Sequence, residues 1–317
     1  MTAATPAARA RRHAVPHDLR VAAVDPLTDD SVAITFDVPD ELAADYDFVH
    51  GQHVSLRCAP AGDDVRRAYS VCTPAGSGVL RVAVKRLPGG AFSTYAHTAL
   101  RAGDVVEVMT PVGRFTAPVD PARARSHVAV AAGSGIAPIL SIVATLLAGE
   151  PRSDVALVYG NRTAHDVMFL EELEDLKNRY PSRFALHVVL SREPRDADIL
   201  SGRVDGPRLE ALLGSPLLPV HVDEWFLCGP AAMIASLRSV LAAHGVDGSR
   251  VHAELFHAQA RSPSGDATAV HAGTPQGAAT VTVLLDGRAS TVSVPSAGES
   301  ILDAALRVRS DAPYACR

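Results

Sequence analysis

SHVAVAAGSGIAPILSIVATLLAG, residues 126–149, runs for 24 positions without Asp, Glu, Lys or Arg and admits two readings. Its length alone suits a membrane span, which takes about 20 apolar residues. Its middle, residues 133–138, holds two glycines and a proline in six positions. That composition fits a turn between two elements better than the interior of one helix. The reading that follows is a strand over 127–132, a loop, and a helix. In that helix Ile139, Ile142, Val143, Leu146 and Leu147 fall at the offsets of one apolar stripe, with Pro138 near its start and Gly149 after its end.

Downstream the rhythm repeats: VALVY then DVMFLEELEDLKNRY, FALHVVL then GPRLEALL, WFLC then AAMIASLRSVLAAHG, and finally VHAELF. Alternation of this kind predicts an α/β unit, a parallel sheet with helices on both faces. Upstream, from 19 to about 118, the runs SVAITFDV, HVSLRCA, RRAYSVC and LRVAVKRL are separated by Gly, Pro and Asp clusters, and they predict a small antiparallel β-barrel. In LRVAVKR the apolar Leu80, Val82 and Val84 alternate with Arg81, Ala83 and Lys85, as in a strand with one buried face. After residue 256 a segment rich in Ala, Gly, Ser, Thr and Pro reads as a linker. VTVLLDG and ASTVSVP then suggest a hairpin closed near Asp286-Gly287, followed by SILDAALRV as a short helix. The expected organisation is a tail over 1–17, a barrel over 18–120, an α/β domain over 121–256, a linker over 257–279, and an incomplete unit over 280–317.

Composition narrows the function. Among 317 residues, 30 Lys and Arg stand against 35 Asp and Glu, a net charge of -5, and the basic run ARARR is short. No broad electropositive footprint forms, so nucleic acid is not an expected partner. The N-terminal segment lacks the apolar stretch of a secretory signal, and neither that segment nor 126–149 reads as a membrane anchor, so a cytoplasmic address is expected. Cys58, Cys72, Cys228 and Cys316 lie far apart with no C-x2-C spacing, and disulfides are not expected. H-E-x-x-H, G-x-S-x-G and G-x-x-x-x-G-K-[ST] are all absent from the sequence.

Five short stretches carry chemistry. RRAYS places Arg67, Tyr69 and Ser70 on one strand, and a cation, an aromatic ring and a small hydroxyl suit a flavin nucleotide. Read alone, such a strand is also an ordinary surface. LPGGAFST leads through Gly89 and Gly90 into a helix with Ser93 in its first turn, and AAGSGIAP brings Gly133, Ser134 and Gly135 to another helix start. Both suit a phosphate group, and both are also plain turns. The second and third α/β strands end in Asn161-Arg162 and Ser191-Arg192, not in the Asp or Glu that commonly meets the ribose of NAD. Guanidinium and hydroxyl donors suit a 2'-phosphate and bias the reading toward NADPH, while exposed arginines at strand ends are the plain alternative. FLCGPAAM delivers Cys228 and Gly229 to the C-terminal edge of the sheet, where a buried structural cysteine is the usual alternative.

In this order the pieces resemble the ferredoxin-NADP reductase superfamily: R-x-Y-S, a G-G-x-x-S loop, G-x-G-x-x-P, C-G-P, and E-x-F as Glu254, Leu255 and Phe256. The likeness is closer to one branch, the reductase subunits of phenylacetyl-CoA epoxidase complexes, through VRRAYSVC, VAVKRLPGGAFS, VYGNRT and DEWFLCGP. The resemblance implies that Arg67, Tyr69, Ser70, Val84, Lys85, Gly90 and Ser93 hold FAD. It implies that NADPH lies across Gly133, Ser134, Gly135, Arg162, Ser191, Arg192, Cys228 and Gly229. Ser70, Cys228 and Glu254 are then the residues at the reacting centre, with Phe256 covering it.

The same resemblance implies a C-terminal plant-type ferredoxin domain with a 2Fe-2S cluster, of which DAPYAC presents the first ligand, Cys316. The other three ligands are not in this sequence, so the expectation is a cluster domain cut short. Electrons are expected to reach the oxygenase subunits of a multicomponent complex. Two alternatives remain, a stand-alone NADPH:ferredoxin or flavin reductase and a nucleotide-binding protein without turnover. Ala137 stands where the family usually has Thr, and His50 where it usually has Pro.

Overall fold

The computed structural model describes residues 14–58, 65–256, 279–285, 288–294, 301 and 304–305. The chain divides into two compact units, Met1–Ala260 and Arg261–Arg317.

The first unit opens with β1 (Pro16–Thr28), β2 (Ser31–Asp37), β3 (His53–Cys58), β4 (Val65–Ser70) and β5 (Leu80–Lys85), followed by the short helix α1 (Ala91–Thr98) and β6 (Val105–Met109). These strands form one antiparallel sheet in the order β4-β3-β6-β1-β2-β5. A bridge between Val71 and Val82 brings the chain just past β4 onto β5, so the two edge strands meet and the sheet closes as a barrel. Leu80, Val82 and Val84 point into the barrel core as the alternation predicts. Ala83, on the opposite face, is buried too, because it packs in a cluster shared with the α/β half. β1 starts two residues inside the stretch read as a tail. There Pro16 and His17 pair with β6, and His17 Nδ1 lies 3.2 Å from Tyr46 Oη.

The α/β half runs β7 (Ser126–Ala132), α2 (Ile136–Gly149), β8 (Asp154–Asn161), α3 (Leu170–Arg179), β9 (Phe184–Leu190), α4 (Gly206–Leu213), β10 (Glu224–Gly229), α5 (Ala231–Ala243) and β11 (Val251–Leu255). All five strands are parallel, in the order β11-β10-β7-β8-β9. Strand order reverses between β7 and β10, and ligands of open α/β sheets bind beyond the carboxyl ends of the strands at such a point.

Residues 126–149 are therefore strand, loop and helix, and among the described residues no helix is long and apolar enough to cross a membrane. Two details differ from the sequence reading. The buried part of α2 is wider than one stripe, because Ile136, Ala137, Leu140 and Ala144 are also covered. On that helix Thr145 Oγ1 accepts from Ala75 N of the barrel half at 3.0 Å, so α2 sits between the sheet and the barrel. α3 begins only at Leu170: Phe169 is left-handed at φ 60°, and Val167, Met168 and Phe169 fill the core as irregular chain. A guanidinium across the half-boundary, that of Arg81, lies 5.6 Å from the Phe169 ring and bonds Glu172 at 3.0 Å.

In the second unit β12 (Ala279–Leu285) and β13 (Arg288–Val294) pair antiparallel from Ala279↔Val294 to Leu285↔Arg288. This is the expected hairpin; its turn, 286–287, lies outside the described residues. Val292 and Val294 pack with Ala304 of a helical segment.

Candidate active site

The parallel sheet presents three of its strand ends side by side. Cys228 on β10 is the register partner of Ala131 on β7 and of Glu254 on β11, so all three face the same end of the sheet. The loop after β7 packs tightly here. A Cβ on Gly135 would stand 2.4 Å from the Cys228 carbonyl oxygen, closer than a real Cβ comes, so this position admits only glycine. Gly133, at φ +53°, has open space where a side chain would project, and no side chain caps the turn of Gly133, Ser134 and Gly135. Backbone N–H groups at an uncapped helix start with open space before them make an anion cradle. Phe256 N donates to Gly229 O at 3.0 Å and holds the end of β11 over β10, with the Phe256 ring packed on the shared cluster.

The barrel meets this edge through β4. Ser70 is buried, and its hydroxyl donates to Glu254 Oε2 at 3.4 Å. Burial raises the Glu254 carboxyl to about 7, a shift that the Ser70 hydrogen bond opposes. Cys228 is fully buried, and that burial together with the Glu254 carboxylate pushes its thiol well above the ordinary range. Its thiol therefore stays protonated, and its value to the site is its shape. Tyr69 is half-buried against the barrel core, its ring 5.2 Å from that of Phe92 on α1. Arg67, on the same strand face as Tyr69, turns one guanidinium nitrogen to Arg66 O at 2.7 Å.

α1 starts at Gly90 without a side-chain cap. Ser93 Oγ instead accepts from Leu87 N at 3.1 Å and donates to Gly90 O, which fixes the loop and leaves the first-turn N–H groups for another acceptor. Val84 is fully buried in the barrel, so only its main chain can meet a ligand. Lys85 pairs with Asp30 at 3.1 Å.

At the far corner Ser191 N and Arg192 N donate to Asn161 O and Arg162 O at 2.9 and 2.8 Å, so the two candidate donor loops are bound to each other. Arg162 is engaged by carboxylates, bonding Asp30 across the half-boundary at 3.1 Å and also Asp166. Cys316 lies outside the described residues. The remaining cysteines, Cys58, Cys72 and Cys228, sit in separate elements without disulfides. Among the described residues no group of His, Cys, Asp and Glu is arranged to hold a metal ion.

Sequence reasoning missed a buried polar cluster beneath the sheet. Glu150 closes α2 and accepts from Arg125, from Ser153 Oγ at 2.7 Å and from Asp120 N at 2.9 Å, with His127 Nε2 at 3.2 Å. Burial works to raise this carboxyl, but Arg125 and the other donors bring it down to about 2. His50 is buried with Nε2 3.0 Å from Thr116 Oγ1, and burial lowers it to about 4. No local pattern signals these residues, since their partners come from distant elements.

Comparison with known proteins agrees with this fold. Residues 18–117 match the Oxidoreductase FAD-binding domain and residues 129–239 the Oxidoreductase NAD-binding domain. The chain is 42% identical over 302 residues to a subunit of the 1,2-phenylacetyl-CoA epoxidase of Escherichia coli (strain K12), covering 95% of this chain and 83% of that protein. It is 32% identical over 314 residues to the 3-ketosteroid-9-alpha-monooxygenase ferredoxin reductase component of Rhodococcus rhodochrous, covering 96% and 84%. A ferredoxin NADP+ reductase from Neisseria gonorrhoeae, solved with bound FAD and NADP, shares the fold at TM-score 0.63 and 21% identity, over 76% of this chain and 98% of that one.

Proposed function

The chain belongs to the ferredoxin-NADP reductase family of FAD- and NAD-binding oxidoreductases, and from that premise we propose that it is the NADPH-dependent reductase component of a multicomponent oxygenase. The observation that carries this reading is the hydrogen bond from Ser70 of the barrel to Glu254, the register partner of Cys228 in the parallel sheet, which joins the two halves at this edge.

FAD is assigned to Arg67, Tyr69 and Ser70, to the main chain at Val84 and Lys85, and to the uncapped turn from Gly90 to Ser93. The fit rests on the free N–H groups behind Gly90 and on the ring and guanidinium that share one face of β4. NADPH is assigned to the open cradle of Gly133, Ser134 and Gly135, to Cys228 and Gly229 at the switch point, and to Arg162, Ser191 and Arg192 at the corner. The boundaries that go with this are a flavin domain ending near 120, whose first strand opens at Pro16 and not at 18, and a nucleotide domain over 121–256; the segment read as a linker over 257–279 ends at Ala279, the first residue of β12.

FAD, when bound, supplies the acceptance of hydride from a nicotinamide and the release of single electrons. The chain's own residues orient and protect. The buried Cys228 shapes the floor without ionising, and the close packing of Gly135 on its carbonyl fixes the distance between cradle and floor. Glu254, titrating near 7, can hold or release a proton at Oε2, and Ser70 orients that oxygen. Phe256 screens the centre from water.

The finer reading is service to phenylacetyl-CoA epoxidase in phenylacetate breakdown, supported by the 42% identity to a component of the Escherichia coli enzyme. The test is anaerobic mixing of the FAD-loaded chain with NADPH. Rapid bleaching of the flavin is expected, and an Arg67→Ala variant should retain FAD about 10 to 100 times more weakly. A chain that binds no FAD, or binds it and stays oxidised, would sink the proposal. Pairing with the oxygenase components of the epoxidase and a separately supplied 2Fe-2S ferredoxin should give ring epoxidation, and equal support of an unrelated oxygenase would reduce the reading to its general form.

A further inference from the structure

The nucleotide corner contains an acid that its proposed role does not require. Asp30 sits in the tight turn between β1 and β2, where Thr28 Oγ1 donates to its Oδ1 at 3.0 Å. That same oxygen pairs with Lys85 Nζ at 3.1 Å, and Oδ2 accepts from Arg162 of the α/β half at 3.1 Å. Arg162 also bonds Asp166, whose carboxylate is fixed locally by Thr163 N at 3.0 Å and Thr163 Oγ1 at 2.8 Å. A cavity of about 310 Å³ opens here, lined by Thr28, Asp29, Asp30, Arg162, Thr163 and Asp166 among others.

The charge of the corner is not that of a simple phosphate receptor. Arg162 shares the cavity lining with Asp29, Asp30 and Asp166, Lys85 pairs with Asp30, and Glu193 accepts from Ala164 N at 2.9 Å, so carboxylates outnumber the placed cations. We propose that Asp30 is a specificity-determining residue, which competes with the 2'-phosphate of NADPH for the Arg162 guanidinium and so weakens the preference for NADPH over NADH. This rests on the assignment of the nucleotide corner above.

The competition is an exchange of partners. Asp166 is locked within its own loop, whereas Asp30 reaches Arg162 from the other half and keeps Lys85 as a partner when Arg162 leaves. Asp30 is therefore the carboxylate that a dianionic phosphate can displace. NADH carries no such phosphate and does not enter the exchange. The Asp30–Arg162 pair is partly exposed, with side chains 32% and 47% accessible, so its effect is that of a surface ion pair.

The test compares kcat/KM for NADPH and NADH in FAD-loaded protein. In Asp30→Asn the NADPH:NADH ratio should rise about twofold to fivefold through a lower KM for NADPH, with kcat unchanged. Asp30→Ser, which keeps a hydroxyl in the turn, should do the same, and Asp30→Glu should keep the parent ratio. In Asp30→Asn/Arg162→Ala the gain should vanish. A ratio that stays level or falls in both Asp30→Asn and Asp30→Ser, while FAD remains bound, overturns the proposal alone. Parent protein that oxidises neither nucleotide overturns the functional assignment and this proposal with it.

Discussion

Ser70 Oγ and Glu254 Oε2 stand 3.4 Å apart, tying the last residue of β4 to β11 across 184 positions of sequence. The hydroxyl stabilises the ionised carboxylate, while burial opposes ionisation and prevails, leaving Glu254 at about 7.

Removing the hydroxyl should therefore move Glu254 further upward. In Ser70→Ala the pH profile of NADPH-dependent flavin reduction should shift its inflection above 7, and the rate should fall about 10- to 100-fold as the crevice loses alignment. In Glu254→Gln the inflection should disappear. Stopped-flow reduction from mildly acidic to mildly alkaline pH reads both, and an unmoved inflection in Ser70→Ala would deny the coupling.

The same carboxyl should mark stability. Its folded value of about 7 exceeds the ordinary 4.5, so the folded chain binds the extra proton between those values. The contribution is fully present below pH 4.5 and is lost as pH rises through 7. Urea midpoints should fall across that window in the parent, and less steeply in Glu254→Gln.

Glu150 should behave with the opposite sign. At about 2, below its ordinary 4.5, it contributes stability above pH 4.5 that is lost as pH falls through 2. Glu150→Ala leaves Arg125 and His127 buried without their carboxylate and should cost about 3 to 5 kcal/mol near neutrality, measured by urea unfolding. A loss below about 1 kcal/mol would show that the cluster is not a structural centre.

Gly135→Ala should be poorly tolerated, since its Cβ would stand 2.4 Å from the Cys228 carbonyl oxygen and main chain must move to relieve it. The expected cost is about 1 to 3 kcal/mol. NADPH affinity should fall more than FAD affinity, because the displaced loop belongs to the parallel sheet. Isothermal titration with each nucleotide separates the two.

Much of this architecture was legible where the signal is local. GPRLEALL is α4 over its whole length, and the glycines of GSG divide β7 from α2, with Pro138 in the first turn of that helix. The start of α3 was not legible, because DVMF runs without Gly or Pro into the helical pattern of LEELEDLKNR, and no local residue type marks Phe169, whose φ of 60° goes with its burial in the core. At the site, residue types pointed to Ser70 and Cys228 and the resemblance to Glu254; the register of β10 and β11 sets Cys228 beside Glu254, and a hydrogen bond joins Ser70 to it. Asp30 gave no such signal, since its meaning comes from Arg162, 132 positions away. Arg162 itself read as a free donor, because sequence lists a charge without its partners.

The strand order β11-β10-β7-β8-β9 has a consequence for biogenesis. A nascent chain emerging from the ribosome can finish its barrel early, but the central strand β7 stays bare along one side until Glu224–Gly229 has been made. The sheet thus matures well after the barrel, and premature release before that point should yield a folded barrel beside a sheet with an unmet, sticky flank.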